Sequence, residues 1–117
     1  MKTKQEEICR CSLSGVQYSD YQLCVGIKAD SKLKLYWERS NQYDNMAIRV
    51  EYCGIKIGYI PKGTFQNLLH EYRERGIKIV ATIVSYNRNN PTWYMFTVKC
   101  EAKKKLNNSG DTDVSLD

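Results

Sequence analysis

Tyr43 and Asp44 stand side by side in a short polar stretch, Asn41-Gln42-Tyr43-Asp44-Asn45, and Lys62 follows the next apolar segments. A tyrosine ring offers a flat face on which a nucleobase can stack, an interaction of about 1–3 kcal/mol per base. A lysine contributes to polyanion binding by releasing counterions from a phosphate. A carboxylate is an odd companion for these two, because phosphates repel it. It gains only where the ligand presents a donor, and the donor unique to a strand end is the terminal hydroxyl. The same residue types also have a plainer use. Asn and Asp accept hydrogen bonds from nearby backbone N–H groups in turns, and a tyrosine can pack at the rim of a sheet. The residue types leave both uses open.

Other chemistries find little support. No GxxxxGK[ST] phosphate loop occurs. The one histidine, His70, lies among Glu71 and Glu74 in a helical pattern and reads as part of a solvated face. Glu101-Ala102-Lys103 has a nuclease-like Glu-x-Lys shape but falls where order is expected to end. Of the five cysteines, Cys9 and Cys11 are the only closely spaced pair. A zinc site needs four ligands, in patterns this chain lacks, so no metal or other cofactor is expected. Cys24, Cys53 and Cys100 read as small core hydrophobes. The expectation is a binding protein and not an enzyme.

The elements that must position these residues are mostly strands. Leu33, Leu35 and Trp37 alternate with Lys32, Lys34 and Tyr36 over 31–38. Alternation returns over 47–53, passes a Cys53-Gly54 turn and continues over 55–60, the pattern of a hairpin. After Pro61, Phe65, Leu68, Leu69 and Tyr72 take the spacing of an amphipathic helix over about 62–75, with Thr64 as N-cap and Gly76 as stop. A second hairpin pairs 77–87 with 92–101 across the turn-forming Asn87–Pro91 stretch. Upstream, 11–18 reads as a first strand, while 21–27 is ambiguous between strand and short helix. About six strands with one clear helix, and room for a second short helical segment, predict an α+β, mainly β fold built as a small antiparallel barrel.

Length and charge bound the rest. The 117 residues make one domain, and the net charge of +5 suggests a polyanionic partner. The domain is expected over 8–102. Residues 103–117, which carry Asp111, Asp113 and Asp117, are expected to form a disordered acidic tail. No apolar run reaches the roughly 18 residues of a membrane helix, and the N-terminus has no apolar signal core. The expectation is a cytoplasmic protein without a membrane partner.

The stretch from Leu33 to Lys62 resembles a HIRAN domain. Glu38, Asn41, Tyr43, Asp44, Ala47, Ile48, Val50, Gly54, Gly58, Tyr59 and Ile60 stand in the register of that family's pattern, and Gly15-Val16-Gln17-Tyr18 is similar to its first strand. The likeness covers about 12–100. It implies an OB-like barrel that binds single-stranded DNA, preferring a free 3′-hydroxyl end, in DNA repair, replication or end targeting. Under it, Tyr43 flanks the terminal bases and Asp44 accepts from the terminal hydroxyl. Tyr18, Tyr59 and Trp93 are further aromatic positions, and Asn41 and Lys62 are polar and phosphate contacts. Trp37, Arg39 and Gln42 replace the family's Arg, Pro and Pro, and Tyr59 stands in place of a His. The implied partners are DNA ends, with a helicase, translocase or nuclease subunit acting beside the module. The other reading keeps the fold as a protein-interaction module without DNA activity.

Overall fold

The computed structural model describes residues 2–106, with side chains described over 5–103. Six strands form one antiparallel sheet: β1 (Lys2–Ser12), β2 (Lys32–Trp37), β3 (Ile48–Tyr52), β4 (Ile55–Tyr59), β5 (Lys78–Tyr86) and β6 (Phe96–Leu106). Their order is β1-β6-β5-β2-β3-β4. One main helix, α1 (Thr64–Glu74), joins the β3–β4 hairpin to β5, and a single helical turn, α2 (Thr92–Met95), caps the β5–β6 hairpin. Two 3-10 turns, Val16–Tyr18 and Tyr21–Leu23, follow β1. The fold is mainly β and OB-like, but the sheet is not closed by a continuous ladder. After β1 ends, Ser14 makes one bridge to Tyr59 at the end of β4.

The core follows from the alternation. Leu33, Ile48, Val50, Ile57, Ala81, Ile83, Val98 and Cys100 point inward, and Leu13, Val16, Leu69 and Phe96 close around them. The Cys53-Gly54 turn joins β3 to β4 with both residues at positive φ (49° and 82°), which matches the twist of a two-residue hairpin. Gly58 is required for another reason. A Cβ there would lie 2.9 Å from the Ser14 carbonyl oxygen, so only glycine lets the Ser14–Val16 segment lie against β4.

Several local expectations change. The first strand lies at Lys2–Ser12 and not at 11–18, because Gly15 at φ 68° turns the chain into the Val16–Tyr18 3-10 turn. The N-terminal segment gave no apolar alternation because β1 is an edge strand with Gln5, Glu6 and Glu7 exposed. Thr64 is the first helical residue, and Gly63 takes the N-cap position without a side-chain cap. At the other end Gly76 does stop α1: its N–H reaches the Arg73 carbonyl and that of Ile77 reaches Tyr72. Residues 92–95 form a helical turn where a strand was expected, begun by Pro91 and closed by the Tyr94 N–H on the Pro91 carbonyl.

The inward face of α1 carries Gln66, Leu69 and His70, while Phe65, Leu68 and Tyr72 are half-buried. His70 is therefore a buried residue and not part of a solvated face. Its Nε2–H donates to the Met46 carbonyl at 2.8 Å, and its Nδ1 accepts from Arg73 Nε at 3.2 Å. Cys53 is exposed on its turn, whereas Cys100 is fully buried opposite Cys9. The contact with Cys9, together with burial, pushes the Cys100 thiol up. Strand β6 runs to Leu106, into the segment expected as tail; the rest of that segment lies outside the described residues.

Candidate nucleic-acid interface

The loop between β2 and β3 is organised by two side chains that were singled out in the sequence. Asn41 Oδ1 accepts from the backbone N–H groups of Tyr43 (2.8 Å) and Asp44 (3.0 Å). Asp44 Oδ1 accepts from the Met46 N–H at 3.0 Å, and its Oδ2 accepts from Gln66 Nε2 at 2.9 Å. The plainer use of both residues is thus realised: they fold the loop and fasten it to α1. The Gln66 and Met46 hydrogen bonds hold the Asp44 carboxyl below its ordinary range, although some burial opposes them. A carboxylate has about four acceptor positions, so capacity for another donor remains.

Beneath the loop lies a polar hub that the sequence reading did not assign. Glu38 Oε1 accepts from the Tyr59 hydroxyl (2.9 Å) and Asn41 Nδ2 (3.0 Å). Its Oε2 pairs with Arg49 Nη1 at 2.9 Å, and Arg49 Nε reaches Glu51 at 2.6 Å. Burial pushes the Glu38 carboxyl up, but the bonds from Asn41, Tyr59 and Arg49 prevail and leave it lowered. The in-register Glu38 was one signal for this hub. Its pairing with Arg49 across the hairpin could not be read from spacing.

Tyr59 serves the hub more than the surface. Its ring is half-buried, Lys56 Nζ lies 5.2 Å from the ring centroid, and burial with the Glu38 bond pushes the phenol up. Asn41 is likewise half-buried, with its amide turned into the loop. Tyr43, in contrast, is 87% exposed on a loop whose backbone is fixed. Tyr18 is 82% exposed on the first 3-10 turn, which packs beside both β4 and α2. On α2, Trp93 and Tyr94 are 63% and 62% exposed. Tyr94 was not anticipated; read as a strand, 92–101 gave no reason to place two successive aromatics on one surface. Lys62 is exposed just after β4, and its charge acts on Asp44.

Trp37 explains one departure from the family pattern. Its Nε1–H donates to the Asn45 carbonyl at 2.8 Å, and its ring meets His70 edge-on at 5.1 Å. The guanidiniums of Arg39 and Arg73 lie over the same ring at 4.4 and 4.0 Å. The aromatic side chain thus collects cations where the family pattern places an arginine. Among the described residues no group of three or more His, Cys, Asp or Glu side chains could hold a metal ion, and no helix is long and apolar enough to cross a membrane.

An OB-like sheet that carries exposed aromatics and a fastened polar loop is the architecture of a small binding module. The HIRAN domain profile matches residues 7–105, and the chain belongs to that family of non-catalytic, nucleic-acid-binding modules. The fold is similar to the crystal structure of the HIRAN domain of human HLTF, with TM-score 0.63 and 18% identity over 86% of this chain and 80% of that one. It is equally similar to a protein from Lactobacillus plantarum, with TM-score 0.63 and 18% identity over 89% of this chain and all (100%) of that one. No curated protein matches the chain.

Proposed function

We propose that this module binds single-stranded DNA at a free 3′-hydroxyl end and so brings end-directed machinery, such as a helicase, translocase or nuclease in another chain, to its substrate in repair or replication. The observation that carries the reading is Tyr43: an aromatic side chain 87% exposed, on a loop held by Asn41 and Asp44. A solvated tyrosine on a fixed backbone loses little entropy when a base stacks on it. Tyr18 and Trp93 extend the stacking surface, and Lys62 supplies a phosphate contact. Asn41 and Tyr59 act as supports from within the hub.

Asp44 provides end selectivity. Its hydrogen bonds to Met46 and Gln66 fix the carboxylate, and a terminal hydroxyl supplies a donor to its remaining lone pairs. A charged acceptor makes that bond worth about 1.5–3 kcal/mol, and a 3′-phosphate replaces the donor with repulsion. Fluorescence anisotropy with short oligonucleotides tests this. The expected result is at least about a tenfold preference for 3′-hydroxyl over 3′-phosphate ends, about 1.4 kcal/mol. Affinity should fall with salt at a slope near −0.7 per phosphate contacted. Equal affinity for both ends would refute the end preference. A flat salt response would refute DNA binding and leave the module as a protein-interaction domain.

A further inference from the structure

Beyond Leu33, β2 and β5 part company. They pair only at Lys32↔Thr82 and Leu33↔Ala81, while β2 goes on to Trp37 and β5 begins at Lys78. The strands splay, and the gap between them is an open groove of about 800 Å³ floored by Leu33, Leu35, Leu69 and Ile79. Its lining includes Lys32, Lys34, Arg73, Lys78 and Lys103, and no carboxylate among the described residues. Lys78 and Lys103 face each other directly across β5 and β6, and none of these four lysines has an ion-pair partner among the described residues. Like charges set opposite one another cost stability. An anionic ligand would relieve them.

Two strand edges face this groove. Lys34–Tyr36 of β2 pairs only with β3, and Lys78–Val80 of β5 pairs only with β6. In each run alternate residues direct N–H and C=O groups away from their one neighbour. From these observations we infer that the groove is a docking site for an extended acidic segment of a partner protein, whose aspartates or glutamates alternate with aliphatic residues. The segment adds as a strand along the unpaired edge, its aliphatic side chains on the Leu33–Leu69–Ile79 floor and its carboxylates on the lysines. A nucleic acid fits less well. Its bases need a free aromatic face, and both rings of the lining already carry guanidiniums, Arg39 and Arg73 over Trp37 and Arg49 over Tyr36. The inference is independent of DNA binding at Tyr43 and goes beyond it.

The test is amide NMR on the full chain, titrated with a heptapeptide in which aspartate alternates with leucine and valine, at low and physiological salt. The expected result is saturable shifts of amides at Lys34–Tyr36 and Lys78–Val80, weakened by salt, with the Asn41–Ala47 loop unmoved. Lys34→Glu with Lys78→Glu should weaken the peptide at least about tenfold, about 1.4 kcal/mol, while oligonucleotide binding stays within about twofold. The milder Lys34→Gln with Lys78→Gln serves if the first variant unfolds, with a smaller loss expected. Absence of groove shifts, or shifts confined to the Asn41–Ala47 loop, would overturn the inference. So would a single-stranded oligonucleotide moving the groove amides in place of the peptide. If neutralising Asp111, Asp113 and Asp117 to Asn moves those amides without any peptide, the occupant is this chain's own acidic segment and the partner reading fails.

Discussion

The Asn41–Ala47 loop, to which Trp37 is hydrogen-bonded, and the β2–β5 groove, which Trp37 helps to line, treat polar groups in opposite ways. At the loop Asn41, Asp44 and the underlying Glu38 are paired inside the protein: Asn41 with backbone N–H groups and Glu38, Asp44 with Met46 and Gln66, Glu38 with Tyr59 and Arg49. What remains for a ligand there is an aromatic face and spare acceptor capacity. In the groove the lysines are left unpaired among the described residues, and the strand edges carry unused backbone groups. Internal pairing holds the loop in one shape, and under the proposed function its selectivity comes from the fixed Asp44 carboxylate and its affinity from stacking on Tyr43. Unpaired like charges yield a surface whose affinity is electrostatic and falls with salt.

The contrast is most easily broken at Glu38. Glu38→Ala removes the acceptor of Tyr59, Asn41 and Arg49 at once, and urea denaturation should show a loss of about 1–3 kcal/mol. Oligonucleotide affinity should fall with it, as the loop loosens. An unchanged denaturation midpoint would mean that the hub does not hold the loop. Gly58→Ala tests the same platform from beneath. Its Cβ would meet the Ser14 carbonyl at 2.9 Å, so the 3-10 turn bearing Tyr18 must move, at a cost of about 1–3 kcal/mol.

Tyr43→Ala should separate binding from stability. Loss of one stacking partner should lower oligonucleotide affinity by about 1–3 kcal/mol, roughly 5- to 150-fold. The melting temperature should not move, since the ring touches solvent on most sides. A drop in melting temperature without loss of affinity would place Tyr43 in the structure and not in the interface.

Acid titration probes the loop and its hub. Glu38 and Asp44 have folded pKa values below their ordinary 4.5 and 3.8. Their contribution to stability is complete above those ordinary values and is lost as pH falls through the lower folded ones. Glu38→Gln should therefore flatten the acid limb of a pH–stability curve. The smallest expected effect is Lys78→Gln, which relieves the repulsion with Lys103 and should raise stability by a few tenths of a kcal/mol, roughly 0.2–0.5. A loss there would show that Lys78 already has a partner.

How far the sequence carried depended on the range of the forces involved. Alternation marked β2, β3, β4 and β5 because in each one set of alternate side chains packs into the core more deeply than the other, and the helix and its Gly76 stop were local signals. Strand β1 escaped notice because Gln5, Glu6 and Glu7 are exposed and only Cys9 and Cys11 are buried, and α2 because Pro91 and its neighbours also suit a turn into a strand. Tyr43 and Asp44 were legible as a pair of unusual types in a polar loop. Their present roles are not equivalent, since Asp44 is bound on both oxygens while Tyr43 is free, and that depended on where Gln66 of α1 arrived.

The sequence by itself determined the faces of β2 to β5, the turn at Cys53-Gly54, the amphipathic helix and the polar composition of the β2–β3 loop, because periodicity and turn chemistry act over a few residues. Only the tertiary structure decided that His70 is buried on Met46, that Glu38 gathers Arg49, Tyr59 and Asn41, and that β2 and β5 splay into a groove lined with lysines. Those outcomes depend on pairing register and helix placement between residues far apart in the chain, where burial, hydrogen-bond geometry and charge are settled jointly and no local spacing encodes them.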